Sequence, residues 1–326
     1  MSTKANKPLN YLEDPHLSKK TKEFLKVLNA AEKPVESLPV PDARNVLTTA
    51  QASVKVDLSG IEESEKTITA DGHTITLNIV RPQGVKGNIP VFMFIHGGGW
   101  VLGDYPTHKR LVRDLVVESG FASVFVNYTL SPEAKFPQAV NEVFAATKWV
   151  AENGNQINVD GSRLAIVGNS AGGNMSVVTS IKAKEKGSPK IKAQILLWPV
   201  TDAGTDYESF QLFGEDRFLT SPLLAWMAGQ YISKPEDAKS IYLSPILASI
   251  DQLKGLPPTL IEVAENDILR DQGEAFGRKL DEAGVDVTTV RFNNAIHDWG
   301  MLNGLADTPE TKAMIRLSAA TLKKYL

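Results

Sequence analysis

Apolar and polar residues change their period several times along the chain. From Leu17 to Lys33, Leu17, Phe24, Leu25 and Leu28 fall on one face of a helical wheel, with lysines and glutamates elsewhere, which predicts an amphipathic arm lying on something apolar. Pro34, Pro39 and Pro41 follow and are expected to stop any helix there. Ile75, Leu77 and Ile79 then alternate with polar residues, as in a half-exposed strand ending at Pro82. Beyond this point the pattern is different. Val91–Ile95, Ala122–Val126, Leu164–Val167, Ile195–Trp198 and Thr259–Val263 are short, mostly apolar runs, the signature of strands covered on both faces.

Helical stripes separate several of these runs. Leu111, Leu115 and Val116 form one, closed by Gly120. Val140, Val143, Phe144 and Val150 form another, opened by Pro137 and closed by Gly154. Strand and helix in alternation imply right-handed crossovers and a mostly parallel central sheet flanked by helices. The chain shows no internal repeat and no low-complexity linker, so residues 1–326 are read as a single domain. Residues 203–244 interrupt the alternation with Tyr207, Phe210, Phe213, Phe218, Trp226 and Tyr231. An insertion there would stand above the sheet, its aromatics forming its own core or touching a ligand. A helix around Ala313–Leu322 closes the chain, with an apolar stripe suited either to homodimer pairing or to packing on its own sheet.

Composition narrows the function. A net charge of −3, with lysine and arginine scattered, argues against a nucleic-acid surface. The absence of cysteine excludes disulfides, thiolate metal sites and a cysteine nucleophile. No apolar run approaches the roughly 20 residues of a membrane span, so no stable membrane insertion is expected. The opening M-S-T-K-A-N-K-P-L-N lacks the apolar stretch of an export leader, which sets the expectation of a cytoplasmic protein.

The strand-like Arg163–Val167 runs into Gly168-Asn169-Ser170-Ala171-Gly172-Gly173, and a helical segment follows. This is G-x-S-x-G in the strand–turn–helix context that gives the pattern meaning. A sharp turn holds the Ser170 hydroxyl clear of the backbone, Gly168 and Gly172 keep side chains out of the strand–helix contact, and the helix N-terminus aims a partial positive charge at the reacting centre. Serine needs a base. Of the five histidines, His16 and His73 lie in polar surroundings, while His297 follows the strand-like Val287–Phe292 in a loop that can reach over the sheet edge to Ser170. A carboxylate must then fix the tautomer of the base. Asp298 adjoins His297 and is badly placed for its inner nitrogen; Asp202 comes one strand early; Asp271 suits a helix cap. Asp267, just past Thr259–Val263, is the candidate.

H-G-G-G-W at residues 96–100, at the end of an apolar strand, completes the set. An oxyanion needs fixed N–H donors about 3 Å away, and side chains would block the approach. Gly97, Gly98 and Gly99 are therefore candidate donors together with Ala171, and His96 is expected to anchor the loop rather than to act in catalysis.

These motifs, with Asn127-Tyr128-Thr129-Leu130-Ser131-Pro132-Glu133 between them, resemble the hormone-sensitive lipase family of carboxylesterases over roughly residues 70–326. The resemblance implies an α/β-hydrolase fold with a helical cap drawn from about 1–50 and 203–244. It implies hydrolysis of small-molecule esters without cofactor or metal, and Gly98, Gly99 and Ala171 as the oxyanion donors; the aromatic insertion and the amino-terminal arm suggest a covered apolar pocket, which favours short or medium acyl chains. Three positions depart from the family pattern. Asn169 stands where the family commonly has Asp, and Thr129 and Ser131 replace its usual Arg and Ala, which removes any salt bridge that Arg would make. Acyl transfer to an alcohol or amine and amide hydrolysis would use the same groups; a non-catalytic ligand receptor is the reading from another class, and the presence of His297 speaks against it.

Overall fold

The computed structural model describes residues 10–326; the first nine residues of the expected cap segment and of the expected leaderless terminus lie outside them. Among the described residues, eight strands form one sheet: β1 (Ile61–Ala70), β2 (His73–Pro82), β3 (Ile89–Ile95), β4 (Ala122–Asn127), β5 (Val159–Asn169), β6 (Gln194–Leu197), β7 (Thr259–Asn266) and β8 (Val287–Ile296). Their order across the sheet is β1-β2-β4-β3-β5-β6-β7-β8. The first three pair antiparallel, and everything from β4 onward is parallel.

The local chemistry accounts for this split. Asp71 and Gly72, both at positive φ, join β1 to β2, as a two-residue hairpin turn requires. The central strands β3 and β4, and β5 from Leu164 onward, carry almost continuous buried side chains, mostly apolar, which only helices on both faces can cover. Those helices are α3 (Tyr105–Ser119), α4 (Gln138–Asn153), α5 (Ala171–Lys186), α9 (Arg270–Glu282) and α10 (Pro309–Tyr325). Asp104 and Thr107 cap the start of α3 reciprocally, and Gly120 ends it in the left-handed conformation. In α10, Met314, Ile315, Ser318, Ala319 and Leu322 are buried, so its stripe packs on the chain's own sheet.

Two features escape the hydrophobic pattern. β1 is an edge strand whose residues are mostly exposed; its Glu-Glu-Ser-Glu-Lys run is what discourages edge pairing and gives no apolar alternation to read. The proline-rich segment does not stop helix formation, contrary to the expectation from its composition. α1 (Lys19–Leu28) is followed by a single turn at Val35–Ser37 and then by α2 (Val40–Ala52), with Pro39 as N-cap and Pro41 inside the first turn. At those positions proline removes no hydrogen bond, because the first N–H groups of a helix have no partner within it.

The remaining helices, α6 (Glu208–Phe213), α7 (Ser221–Tyr231) and α8 (Ile250–Leu253), arise between β6 and β7. α1, α2 and α7 lie together over the carboxyl end of the sheet. Asp14 and Arg217, both almost fully buried, are joined at 2.9 Å and tie the amino-terminal segment to the 203–244 insertion. Leu17 makes an isolated parallel bridge to Asn294 at the end of β8. Leu25 anchors α1 and is fully buried within the apolar cluster that includes Leu17, Trp299 and Leu305. Leu25→Ala is expected to cost about 2–5 kcal/mol, read as a lowered urea midpoint with an unchanged slope.

Candidate active site

β3, β5, β7 and β8 deliver their ends to one place. Ser170 leaves β5 at φ 53 and ψ −119 and caps α5. This left-handed backbone is unfavourable for a residue with a Cβ, and it is held in place by Ser170 N–H donating to Leu197 O at 2.9 Å, while Ser170 O accepts from Asn174 N–H at 3.0 Å and Val200 N–H at 3.2 Å. The flanking glycines are dictated by contact. A Cβ on Gly168 would run into the backbone of Gly172, and one on Gly172 into Ile95 O.

His297 and Asp267 arrive from the neighbouring strands. Asp267 is buried beyond the end of β7. Its Oδ1 accepts from Leu269 N–H at 2.8 Å, and its Oδ2 lies 2.8 Å from His297 Nδ1. A carboxylate only accepts, so Nδ1 carries the imidazole proton and Nε2 is left to accept from Ser170 Oγ at 3.0 Å. Burial pulls the His297 pKa down, but the charges of Asp267 and Asp298 and the hydrogen bond to Asp267 outweigh it, so the net shift is upward from 6.5.

Gly98 and Gly99 have φ of 102 and 59. A Cβ on Gly98 would strike Leu102 O, and one on Gly99 would strike the Met227 side chain. The loop after β3 thus needs glycine for its own turn and for the closeness of α7. Gly98, Gly99, Ser170 and His297 line one cavity, and Ala171 follows Ser170 at the start of α5. His96 behaves as an anchor, as expected. Its Nδ1–H donates to Gly97 O at 2.7 Å, its ring stacks on Tyr128 at 4.3 Å, and Tyr128 OH donates to His96 O at 2.9 Å. Burial lowers its pKa to about 4, against the opposing pull of Gly97 O and Asp104.

The competing carboxylates go elsewhere. Asp202 accepts from Tyr207 OH at 2.7 Å. Asp271 pairs with Arg270 at 2.8 Å and accepts from Ser209 N–H at the start of α6, not at its own helix. Asp298 lies in the site, but with Oδ2 3.9 Å from His297 Nε2, on the side away from Nδ1. Thr129 takes up the position of the absent Arg without a charge: its N–H and hydroxyl donate to the buried Glu142 at 2.6 and 3.0 Å. His16 is exposed and contacts Glu265 at 2.9 Å.

The cavity measures about 490 Å³ and is almost entirely apolar. Phe24 and Leu28 of α1, Ala43 and Leu47 of α2, and Leu223 and Leu224 of α7 form much of its wall. Of the six insertion aromatics, Phe218 lines it, whereas Tyr231 stacks on Trp100 at 4.4 Å as core. Only the family resemblance pointed to residues 1–50; the hydrophobic pattern alone did not mark α2, because it begins at the prolines expected to stop a helix. Two polar side chains fasten it. Arg44 donates to Val101 O at 2.8 Å and Ser131 O at 2.9 Å, and forks onto Glu133 at 2.7 and 2.8 Å. Gln51 Nε2 donates to Met301 O at 3.0 Å, and its Oε1 accepts from Asn303 N–H at 2.9 Å.

Residues 92–301 match the family described as having the alpha/beta hydrolase fold. An ethyl acetate hydrolase of Pseudomonas putida is 30% identical over 84% of this chain and 87% of its own length. The carboxylesterase NlhH of Mycobacterium tuberculosis is 34% identical, with 80% and 82% covered. The crystal structure of a thermostable esterase from Pseudomonas putida superposes with a TM-score of 0.95 at 54% identity, covering 96% of this chain and 98% of that one.

The sign of the His297 shift is open to direct measurement. In nitrogen-edited histidine NMR spectra its titration is expected to centre above 6.5, with His96 staying neutral down to about pH 4. In Asp267→Asn the nearer negative charge is gone and burial is less strongly opposed, so the His297 midpoint should fall. A wild-type midpoint below 6.5 would contradict this balance.

Proposed function

The chain belongs to the hormone-sensitive lipase family of α/β-hydrolases and is a serine carboxylesterase, and on that premise we propose that Ser170 is its nucleophile, His297 its general base and acid, and Asp267 the carboxylate that orients the base. The observation that carries this assignment is the unbroken hydrogen-bond chain from Asp267 through His297 to Ser170, at 2.8 and 3.0 Å, opening into an apolar cavity.

In this reading His297 Nε2 takes the Ser170 proton as Oγ attacks the ester carbonyl carbon. The negative oxygen that forms is received by the N–H groups of Gly98, Gly99 and Ala171, each such donor being worth about 10²–10³ in rate. Collapse expels the alcohol, which leaves with the proton from Nε2. Water then enters, gives a proton to His297 and attacks the acyl carbon. The carboxylic acid departs as Ser170 recovers its proton. Nothing in these steps calls for a cofactor.

The cap is assigned to the elements that roof the cavity, α1 and α2 from the amino-terminal segment and α7 with Phe218 and Leu219 from the 203–244 insertion. Its apolar lining and a volume of about 490 Å³ favour one short or medium acyl chain with its alcohol over a long-chain triglyceride, since pockets of this size enclose molecules of modest size.

Hydrolysis of p-nitrophenyl esters from acetate to palmitate tests both parts. Ser170→Ala is expected to lower kcat by about 10⁶-fold with the fold intact by circular dichroism. The wild-type profile should peak at short or medium chains and fall toward palmitate. Retained turnover in Ser170→Ala would remove the assignment, and a maximum at palmitate would remove the size argument.

A further inference from the structure

Asn169, the residue before the nucleophile, is fully buried, and its carboxamide sits among three groups that agree on which way it points. Oδ1 accepts from Gly97 N–H at 2.9 Å, at the head of the glycine loop. Nδ2 donates to Asp298 Oδ1 at 3.0 Å and faces His108 Nε2 at 3.4 Å. His108 Nδ1 lies 3.1 Å from Asp104 O. A carbonyl only accepts, so that nitrogen carries the proton and Nε2 presents a lone pair to Asn169. One face of the Asn169 side chain must therefore accept and the other must donate. Aspartate there would set an oxygen against both the Asp298 carboxylate and the His108 lone pair.

Asp298 is itself held in an unusual way. It occupies φ 60, and Trp198, at φ 37, donates Nε1–H to its Oδ1 at 2.6 Å. Two left-handed, non-glycine residues that hydrogen-bond to each other beside a third, Ser170, mark backbone strain gathered at one site. Asp298 O also accepts from Met301 and Leu302 N–H at 2.8 and 2.9 Å, which closes the turn that carries His297.

We propose that Asn169 and Asp298 are coupled positioning residues: the amide clamps the glycine loop to the His297 turn and holds a second carboxylate beside the imidazole. This inference rests on the assignment of His297 as the base. During attack the imidazolium then lies between two negative groups, Asp267 on Nδ1 and Asp298 near Nε2. The groups facing this pair are Ser170, Trp198, Asn169 and His108, and burial keeps His108 neutral, with His96 and Arg110 adding to the same shift. Arg110, behind the turn, donates to Gly300 O at 2.6 Å and pairs with Asp114 at 3.0 Å. The departure from the family's Asp at position 169 is thus explained by its neighbour: an acidic residue at 298 requires a donor opposite it.

The sign follows from charge. Asp298 favours protonated His297, so removing its charge lets the neutral base persist to lower pH. Asp298→Asn keeps the shape, and its Oδ1 still accepts from Trp198 and Asn169. The acid limb of its kcat/KM profile on p-nitrophenyl butyrate should move down by about 1 pH unit. Asn169→Asp should lower kcat by about ten- to a hundredfold, and in the Asp298→Asn background, where the negative charge facing it is gone, the same substitution should cost clearly less. Rates are normalised to sites titrated with an organophosphonate, so a variant that fails to fold loses sites rather than turnover. An unmoved acid limb in an active Asp298→Asn, or an Asn169→Asp loss just as large in the Asp298→Asn background as in the wild type, overturns the proposal. Either result leaves the Ser170 assignment standing, since that depends on Ser170→Ala alone.

Discussion

Backbone packed against backbone is the constraint from which the rest of this molecule follows. The end of β3, the turn after β5 and the start of α5 approach so closely that Gly168 and Gly172 have no room for a Cβ, and one on Gly97 would stand 2.8 Å from Asn169 O. That closeness brings Ser170 and the glycine loop to the wall of one cavity. Glycine in such runs costs conformational entropy, and the buried strands on either side supply the apolar contact that offsets it.

Polar order is then built on the packed backbone. Three histidines lie within the same few residues of the sheet end and are treated differently by their surroundings. His96 and His108 are buried against carbonyls and rings and are kept neutral, so they serve as fixed donors and acceptors. His297 is equally buried, yet two carboxylates outweigh its desolvation. A buried imidazole that is to hold a charge needs that compensation, and one that only positions a loop does not.

The roof of the cavity is joined to the sheet by polar struts at the places where chemistry would need stiffness. Arg44 reaches the segments after the glycine loop, Gln51 reaches the segment after His297, and the buried Asp14–Arg217 pair links the two parts of the roof. Between these struts the lining is hydrocarbon. A wall of this kind sets the size of what enters rather than its hydrogen-bonding pattern, while the struts limit how far the roof moves relative to the reacting atoms.

Much of this was legible in the chain because the signals are local. The runs Val91–Ile95 and Leu164–Val167 announce covered parallel strands, and G-N-S-A-G-G between a strand and a helix announces an elbow, because strand burial and turn geometry are imposed by neighbours a few residues away. Asp267 is singled out from Asp202, Asp271 and Asp298 by its place just past Thr259–Val263, the strand before the histidine's own, and its Oδ2 lies 2.8 Å from His297 Nδ1. Tertiary structure alone decided what depends on partners far along the chain. β1 has no apolar period because it is an edge, α2 starts at prolines that composition reads as breakers, and the orientation of Asn169 is set by Gly97, His108 and Asp298, which lie 72, 61 and 129 residues away. Hydrophobic period and turn chemistry are properties of a window of sequence; the direction of a buried amide and the balance of charge around an imidazole belong to groups that meet only when the chain has folded.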